Sequence, residues 1–193
     1  MGIFGSPVKV ETYKPGWGRG RALRFVQDAA PVAVRIVEEH YGRSLQPVRI
    51  TLTTPDGMAE LACRAEFALV PQVSAAARAK AEREARELAR GAAAQVVLSP
   101  RGRGTLLFLN SRSDAMRVDE GIETVLSHEL VHCEQFGRRG VRELILAHTR
   151  HVFGVKELSP KVVKAFEDML EGHEAEAYGL EDSLAARLRK AVA

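Results

Sequence analysis

The sequence is poor in the features that stabilise secreted and membrane proteins. It has two cysteines in 193 residues, Cys63 and Cys133, which are too few for a disulfide framework and favour a reducing compartment. No apolar run reaches the roughly 20 residues that a membrane-spanning helix needs. Residues 1–20 also lack the apolar core of a secretory signal. We therefore expect a cytoplasmic protein without a membrane partner.

A strong excess of either charge is also lacking. The chain has 28 Lys and Arg against 25 Asp and Glu, which gives a net charge of +3. Because nucleic-acid-binding domains are usually strongly basic, we expect no nucleic-acid partner. The hydrophobic fraction of 46% is enough for one core, and no low-complexity linker divides the chain. We predict a single domain over residues 1–193, and the composition leaves the oligomeric state open.

Strand-like patterns are confined to the first part of the chain. Residues 1–20 are rich in Gly and Pro and predict an irregular arm. Apolar residues recur at helical spacing over 21–41, whereas 48–54 alternates and is β-branched, which predicts a strand closed by a turn at 55–57. Two apolar runs around SPRGRG predict a hairpin or two sequential strands over 95–110.

Helical patterns dominate the rest of the sequence. The segment 74–94, rich in alanine and in charge pairs, predicts an exposed helix. After residue 113 come three more helical segments, the last with Ser159 as N-cap and Pro160 at its first position. We therefore predict an α+β fold, in which an N-terminal helix and a small β-sheet precede a motif-bearing helix and a helical C-terminal part.

The motif HELVH, residues 128–132, carries the strongest chemical signal. In a helix over residues 122–136, Glu129 and His132 fall on an apolar stripe and His128 lies at its margin. Because an unpaired charge is costly in apolar surroundings, these side chains need a compensating partner. Imidazoles four residues apart lie one helical turn apart, so both can bind one metal ion.

The spacing of the motif predicts Zn²⁺ held by His128 and His132, with Glu129 as the base for the attacking water. In the structural alternative, both histidines are core residues hydrogen-bonded to Glu129 and Glu134. We favour the metal because the motif and its place on an apolar stripe are independent requirements.

A third protein ligand must come from another part of the chain. The extended pattern HExxHxxGxxH is absent, because Gln135 and Arg138 stand where glycine and a third histidine would be. The segment 171–181 offers Glu174 on a helix, and the small Ala177 one turn on allows close approach to the motif helix.

Four other residues also remain candidates for the third ligand. The alternatives to Glu174 are Glu171, His173, His148 and His151. An acidic helix usually presents a solvated face, and we assign Glu176 and Glu181 to that face.

The two motifs together carry a family resemblance. HELVH at 128–132, followed by HEAEAY at 173–178, resembles the gluzincin branch of the zincin metallopeptidases, and the likeness covers a metallopeptidase core over residues 104–182. It implies a zinc centre formed by His128, His132 and Glu174, with Glu129 as the general base. Where gluzincins commonly have an aspartate that orients a histidine ligand, this sequence has Tyr178.

The resemblance also implies a reaction and a substrate class. It implies hydrolysis of a peptide or protein substrate, laid along an edge strand for which TLLFLN, residues 105–110, is the expected equivalent. The group that stabilises the oxyanion stays open among Tyr178, His148, His151 and Arg150. In the alternative interpretation, the protein is an inactive zinc-stabilised scaffold whose site is closed by a fourth ligand such as Cys63 or a histidine.

Overall fold

The computed structural model describes residues 8–192 and has a mixed α+β fold. Within these residues, no helix is both long and apolar enough to cross a membrane. Part of the predicted N-terminal arm, residues 1–7, lies outside the described range.

A four-stranded sheet forms the centre of the molecule. Its strands are β1 (Val8–Tyr13), β2 (Val48–Thr53), β3 (Ala94–Leu98) and β4 (Thr105–Asn110), arranged in the order β1-β2-β4-β3. β1 and β4 pair with β2 in parallel, and β3 pairs with β4 antiparallel. The predicted hairpin is therefore present as β3 and β4.

The irregular arm predicted for residues 1–20 is wrong over β1. The segment VKVETY pairs along its whole length with β2, from Val8 opposite Val48 to Tyr13 opposite Thr53. Val8 and Val10 pack against the main core, so the short alternation was a strand signal. The glycines and prolines that follow it dominate the composition of this segment and obscured that signal.

The edge strand predicted at residues 105–110 is also wrong. These residues form β4, which lies inside the sheet between β2 and β3. The two edge strands of the sheet are β1 and β3, so the edge strand of the hairpin is β3. Sequence patterning does not distinguish the two positions, since both runs are short and apolar.

Three helices precede the hairpin. They are α1 (Gly20–Tyr41), α2 (Pro55–Leu69) and α3 (Ala75–Gly91). The turn predicted at 55–57 is wrong because Thr54 caps α2, accepting a hydrogen bond from the Gly57 N–H, and Pro55 takes the first helical position. Gly57 is required there, since a Cβ would overlap the Thr53 side chain.

Three helices follow the hairpin. They are α4 (Asp119–Phe136), α5 (Val141–Val152) and α6 (Pro160–Val192), and α6 continues through Gly172 and Gly179 without a break. α1, α4 and α6 form the main core with Ile50, Leu52 and Leu107 of the sheet. α2 and α3 cover the other face through a smaller cluster that contains Phe108. The sheet is thus sandwiched, and α4 lies close to its β3 edge.

Candidate metal centre

α4 brings the two motif histidines together. His128 and His132 lie one turn apart on this helix, and their side chains are 13% and 11% exposed. Their Nε2 atoms are 3.0 Å apart. Both imidazoles therefore present a nitrogen to the same small space, as the spacing of the motif predicts.

A third candidate ligand comes from α6, which packs along α4. One carboxylate oxygen of Glu174 is 3.3 Å from Nε2 of His132, and the other is 3.6 Å from Nε2 of His128. The ligand atoms of the three residues all lie within 4.8 Å of one another. The structure thus brings together the three residues that the sequence selected.

The outer nitrogen of each imidazole is fixed by a hydrogen bond. Nδ1 of His128 lies 2.9 Å from a carboxylate oxygen of Glu181, which can only accept when it is ionised. Nδ1 of His132 lies 2.8 Å from Oε1 of Gln135. Each Nδ1 therefore carries a proton, and the Nε2 atoms of the two rings face one another.

The orientation of Gln135 follows from its other contacts. Its Nε2 donates to the backbone carbonyl of His173 at 2.9 Å and to the Glu176 carboxylate at 3.0 Å, so its oxygen must face His132. Glu176 is held in turn by Arg138 at 2.6 and 2.8 Å and by the Tyr41 hydroxyl. Arg138 is the main reason why the pKa of the Glu176 carboxyl falls to about 2.

This ligand set fits a divalent cation. Two Nε2 lone pairs at 3.0 Å repel one another unless a proton or a cation lies between them. Burial lowers the pKa of His132, which disfavours the proton. Donors bound at about 2.0–2.1 Å to a tetrahedral zinc lie roughly 3.3 Å from one another, and the separations of 3.0, 3.3 and 3.6 Å match that spacing.

Glu129 lies beside the ligand set and not within it. It lines the same cavity as both histidines, but it is not one of the three residues whose ligand atoms converge. Burial, with a smaller contribution from the Glu174 carboxylate, raises the pKa of the Glu129 carboxyl to about 8. A cation held by the three ligands would lower that pKa and favour the ionised form.

The cavity that contains these groups has a volume of about 540 Å³. One wall is formed by α4 and α6, and the opposite wall by residues 91–96, at the end of α3 and along the open edge of β3. Tyr178 and His173 also line the cavity, and the buried Nδ1 of His173 has no hydrogen-bond partner among residues 8–192. The candidate metal ligands therefore share a cavity with the outer edge of β3.

Several residues predicted for the site lie elsewhere. His148 stacks on Phe166 with ring centroids 3.7 Å apart, and Nδ1 of His151 accepts a hydrogen bond from the Leu158 N–H. Neither histidine lines the cavity, and neither does Arg150 or Glu171. Of the four oxyanion candidates, only Tyr178 lies there, with its ring 4.7 Å from that of His128.

The supporting residues are the ones that sequence reasoning missed. The assignment of Glu176 and Glu181 to a solvated face is wrong, because both are partly buried and hold other residues of the site in place. Gln135 and Arg138, which break the extended histidine motif, hold His132 and Glu176. One signal was available for Glu181: it lies seven residues, or about two helical turns, after Glu174 and thus on the same face of α6.

Cys63 does not reach the ligand set. It is buried between α2 and α3, where it packs with Phe67. In the part of the chain that the structure describes, the group of side chains that could hold a metal ion consists of His128, His132 and Glu174. A site with three protein ligands leaves one tetrahedral position for another molecule.

Comparison with known proteins gives no further guidance, because no family model, curated protein or solved structure matches the chain.

Proposed function

We propose that this protein is a zinc-dependent metallopeptidase of the gluzincin type. The proposal depends on one observation: two imidazole lone pairs and the Glu174 carboxylate converge in a cavity that also contains Glu129. A closed structural zinc site would need a fourth protein ligand and no acid poised beside it. His128, His132 and Glu174 would hold Zn²⁺, which when bound supplies an activated water molecule and polarises the peptide carbonyl.

Glu129 supplies the acid–base chemistry. Its ionised carboxylate accepts the proton of the attacking water and then delivers that proton to the amine of the departing peptide. Burial raises the pKa of the Glu129 carboxyl, which makes the carboxylate a stronger base toward the attacking water. A general base of this kind typically contributes a factor of about 10² to 10⁴ to the rate.

The open edge of β3 would hold the substrate backbone. Ser99 N–H donates to the Gly104 carbonyl, and Asn110 N–H donates to the Ala93 carbonyl. Because hydrogen-bonded and non-hydrogen-bonded pairs alternate along an antiparallel ladder, these two bonds identify which residues of β3 bond to β4. Every other residue of β3 directs its N–H and C=O groups away from β4. These outward residues are Ala94, Val96 and Leu98, and an extended peptide can pair with them.

Tyr178 is the donor that we assign to the oxyanion. It is 64% exposed, lines the cavity and stands next to His128, so its hydroxyl is free to approach a bound carbonyl. A donor of this kind stabilises the negative charge that develops on the carbonyl oxygen.

Metal content and peptide cleavage, measured together, test this function. The natural chain and Glu129→Gln should each bind about one zinc per chain, and His132→Ala should bind little. Cleavage of a fluorogenic peptide mixture should occur only with the natural chain, whose rate should exceed that of Glu129→Gln by at least about 100-fold. Glu87→Gln, on the exposed face of α3, is the matched control and should behave as the natural chain does.

Two outcomes would contradict the proposal. Equal cleavage by Glu129→Gln would remove Glu129 as the base. Full zinc content without cleavage of any peptide in the mixture would favour the alternative, a zinc-stabilised binding or scaffold domain.

A further inference from the structure

A second cavity adjoins the candidate active site. It has a volume of about 320 Å³ and lies where α4 ends and α5 begins. Phe136, the last residue of α4, lines both this cavity and the one that holds the metal ligands. The two cavities are therefore neighbours along α4, with one helical turn between His132 and Phe136.

This second cavity is strongly basic. Of the described residues, four arginines line it, and Glu143 is the one acidic residue that does so. Arg138 is neutralised by Glu134 and Glu176. The other three, within residues 8–192, form no ion pair with a carboxylate; they are Arg103, Arg139 and Arg142. An uncompensated cluster of guanidinium groups favours an anion.

Arg142 gives the cluster a fixed member. Its Nη2 donates to the Ser99 carbonyl at 3.1 Å, which holds the side chain at the end of β3. Its Nη1 is buried and has no hydrogen-bond partner among the described residues. A buried donor without a partner destabilises the fold, so an acceptor at this position would remove that cost.

The start of α5 adds to the same field. Its N-cap is Gly140, with φ of 82°, and no side chain caps the first turn. Gly140 and Arg142 line the cavity, so the positive end of the α5 dipole lies beside the arginines. The cavity thus combines the N-terminal end of a helix with three guanidinium groups that form no ion pair among the described residues.

This second cavity, called the arginine cavity below, lies near the Leu98 end of β3. β3 runs from Ala94 toward Leu98, and Ser99, the next residue, is the one that Arg142 holds. A peptide paired along β3 would therefore lead from the metal ligands to the arginines. Since an extended chain advances about 3.3 Å per residue, a group in the arginine cavity would be roughly two to four residues from the bond that is cut.

We propose that the arginine cavity binds a carboxylate of the substrate, so that the enzyme prefers acidic peptides. The proposal rests on the proposed peptidase function and adds its substrate class. Antiparallel pairing, the commoner mode, would place the N-terminal part of the peptide at the Leu98 end of β3. The carboxylate is then an Asp or Glu side chain on the N-terminal side of the cleaved bond, whereas parallel pairing would bring the carboxyl terminus of the peptide there.

Peptide binding to an inactive variant tests this without cleavage. Zinc-loaded Glu129→Gln is titrated with three fluorescein-labelled octapeptides, and polarisation is read at low ionic strength. The first has Glu at the second, third and fourth positions before the central bond and an amidated end; the second has Gln at those positions; the third is the Gln peptide with a free carboxyl terminus. We expect the Glu peptide to bind at least tenfold more tightly than its Gln counterpart.

Substitutions in the cavity identify where the preference arises. Arg142→Gln and Arg139→Gln, each added to Glu129→Gln, should reduce the preference to less than threefold. Arg83→Gln, on exposed α3, should leave it unchanged. Because Arg139 is exposed and its side chain forms no hydrogen bond or ion pair with residues 8–192, its variant stays informative if Arg142→Gln is unstable.

Each outcome bears on the proposal. If the third peptide binds more tightly than the second, the bound carboxylate is the carboxyl terminus of the peptide, and this result supports the same arginine cavity. Equal binding of all three peptides, no measurable binding of any, or a preference that survives both arginine substitutions would overturn it. Failure of the peptidase function looks different: the natural chain would cleave neither the Glu nor the Gln peptide, whatever their relative affinities.

Discussion

At the scale of single residues, the ligand histidines are held before any metal binds. Glu181 and Gln135 each fix one Nδ1. Glu181 lies on α6, and Gln135 donates to Glu176, which Arg138 holds in turn. Such outer hydrogen bonds orient imidazole ligands and increase their basicity. Metal affinity in this protein should therefore depend on residues that never touch the metal.

We expect Glu181→Ala to weaken zinc binding by about 10- to 100-fold while leaving the fold intact. Loss of this carboxylate frees the His128 ring to rotate and to change tautomer. Competition with a fluorescent chelator measures the affinity. Asp182→Ala, at the exposed neighbouring position, is the control and should retain natural affinity. An affinity unchanged in Glu181→Ala would mean that packing alone orients the His128 ring.

The sequence identified the candidate ligands, but it did not identify the residues that hold those ligands in place. His128, Glu129 and His132 follow from spacing within one helix, which local geometry determines. The contacts of Glu181 depend on how α6 lies against α4, and no local pattern encodes that placement. This is why an acid on an exposed-looking helical segment was assigned to solvent when its side chain supports a ligand.

At the scale of elements, the identity of the edge strand decides how the site can be approached. The hairpin β3–β4 was predicted from its two apolar runs, but the order of strands depends on how the chain crosses over between β2 and β4. β4 is drawn into the sheet because it pairs with β2 over all six of its residues, from Thr105 to Asn110. β3 is left at the edge, beside α4.

Val96→Pro tests the role of this edge. Proline would remove an outward N–H without removing a hydrogen bond to β4. We expect the catalytic efficiency of peptide cleavage to fall by about tenfold, the equivalent of one hydrogen bond of about 1.4 kcal/mol, with zinc content unchanged. Val96→Ala keeps the N–H and should retain most activity. Equal losses in both variants would assign the effect to the side chain.

At the scale of the whole molecule, the candidate site joins two helices that the main core already packs together. α4 contributes His128 and His132, and α6 contributes Glu174 and continues to Leu184 and Leu188 in the core. The α+β class was predictable from the order of strand and helix patterns along the chain. The sandwich of helices around the sheet was not, because it depends on which helices share a face.

Zinc should stabilise the fold, because its proposed ligands come from both α4 and α6. At a free zinc concentration of about 100 times Kd, binding adds about 2.7 kcal/mol to the free energy of unfolding. For a chain of this size, that corresponds to a rise in Tm of roughly 5–10 °C. Differential scanning calorimetry with zinc and then with a chelator measures it. His132→Ala should show no rise, and a comparable rise in that variant would place the stabilising ion elsewhere.

Cys133 follows the second histidine ligand, yet its thiol is buried in the core, where burial raises its pKa to about 12. The candidate ligands are consequently nitrogen and oxygen atoms with no sulfur among them. Such a donor set suits several first-row divalent ions besides zinc, so Co²⁺ can replace it. Cobalt would give the centre a visible absorption spectrum without a thiolate charge-transfer band, and its colour would then report changes in coordination as a peptide enters.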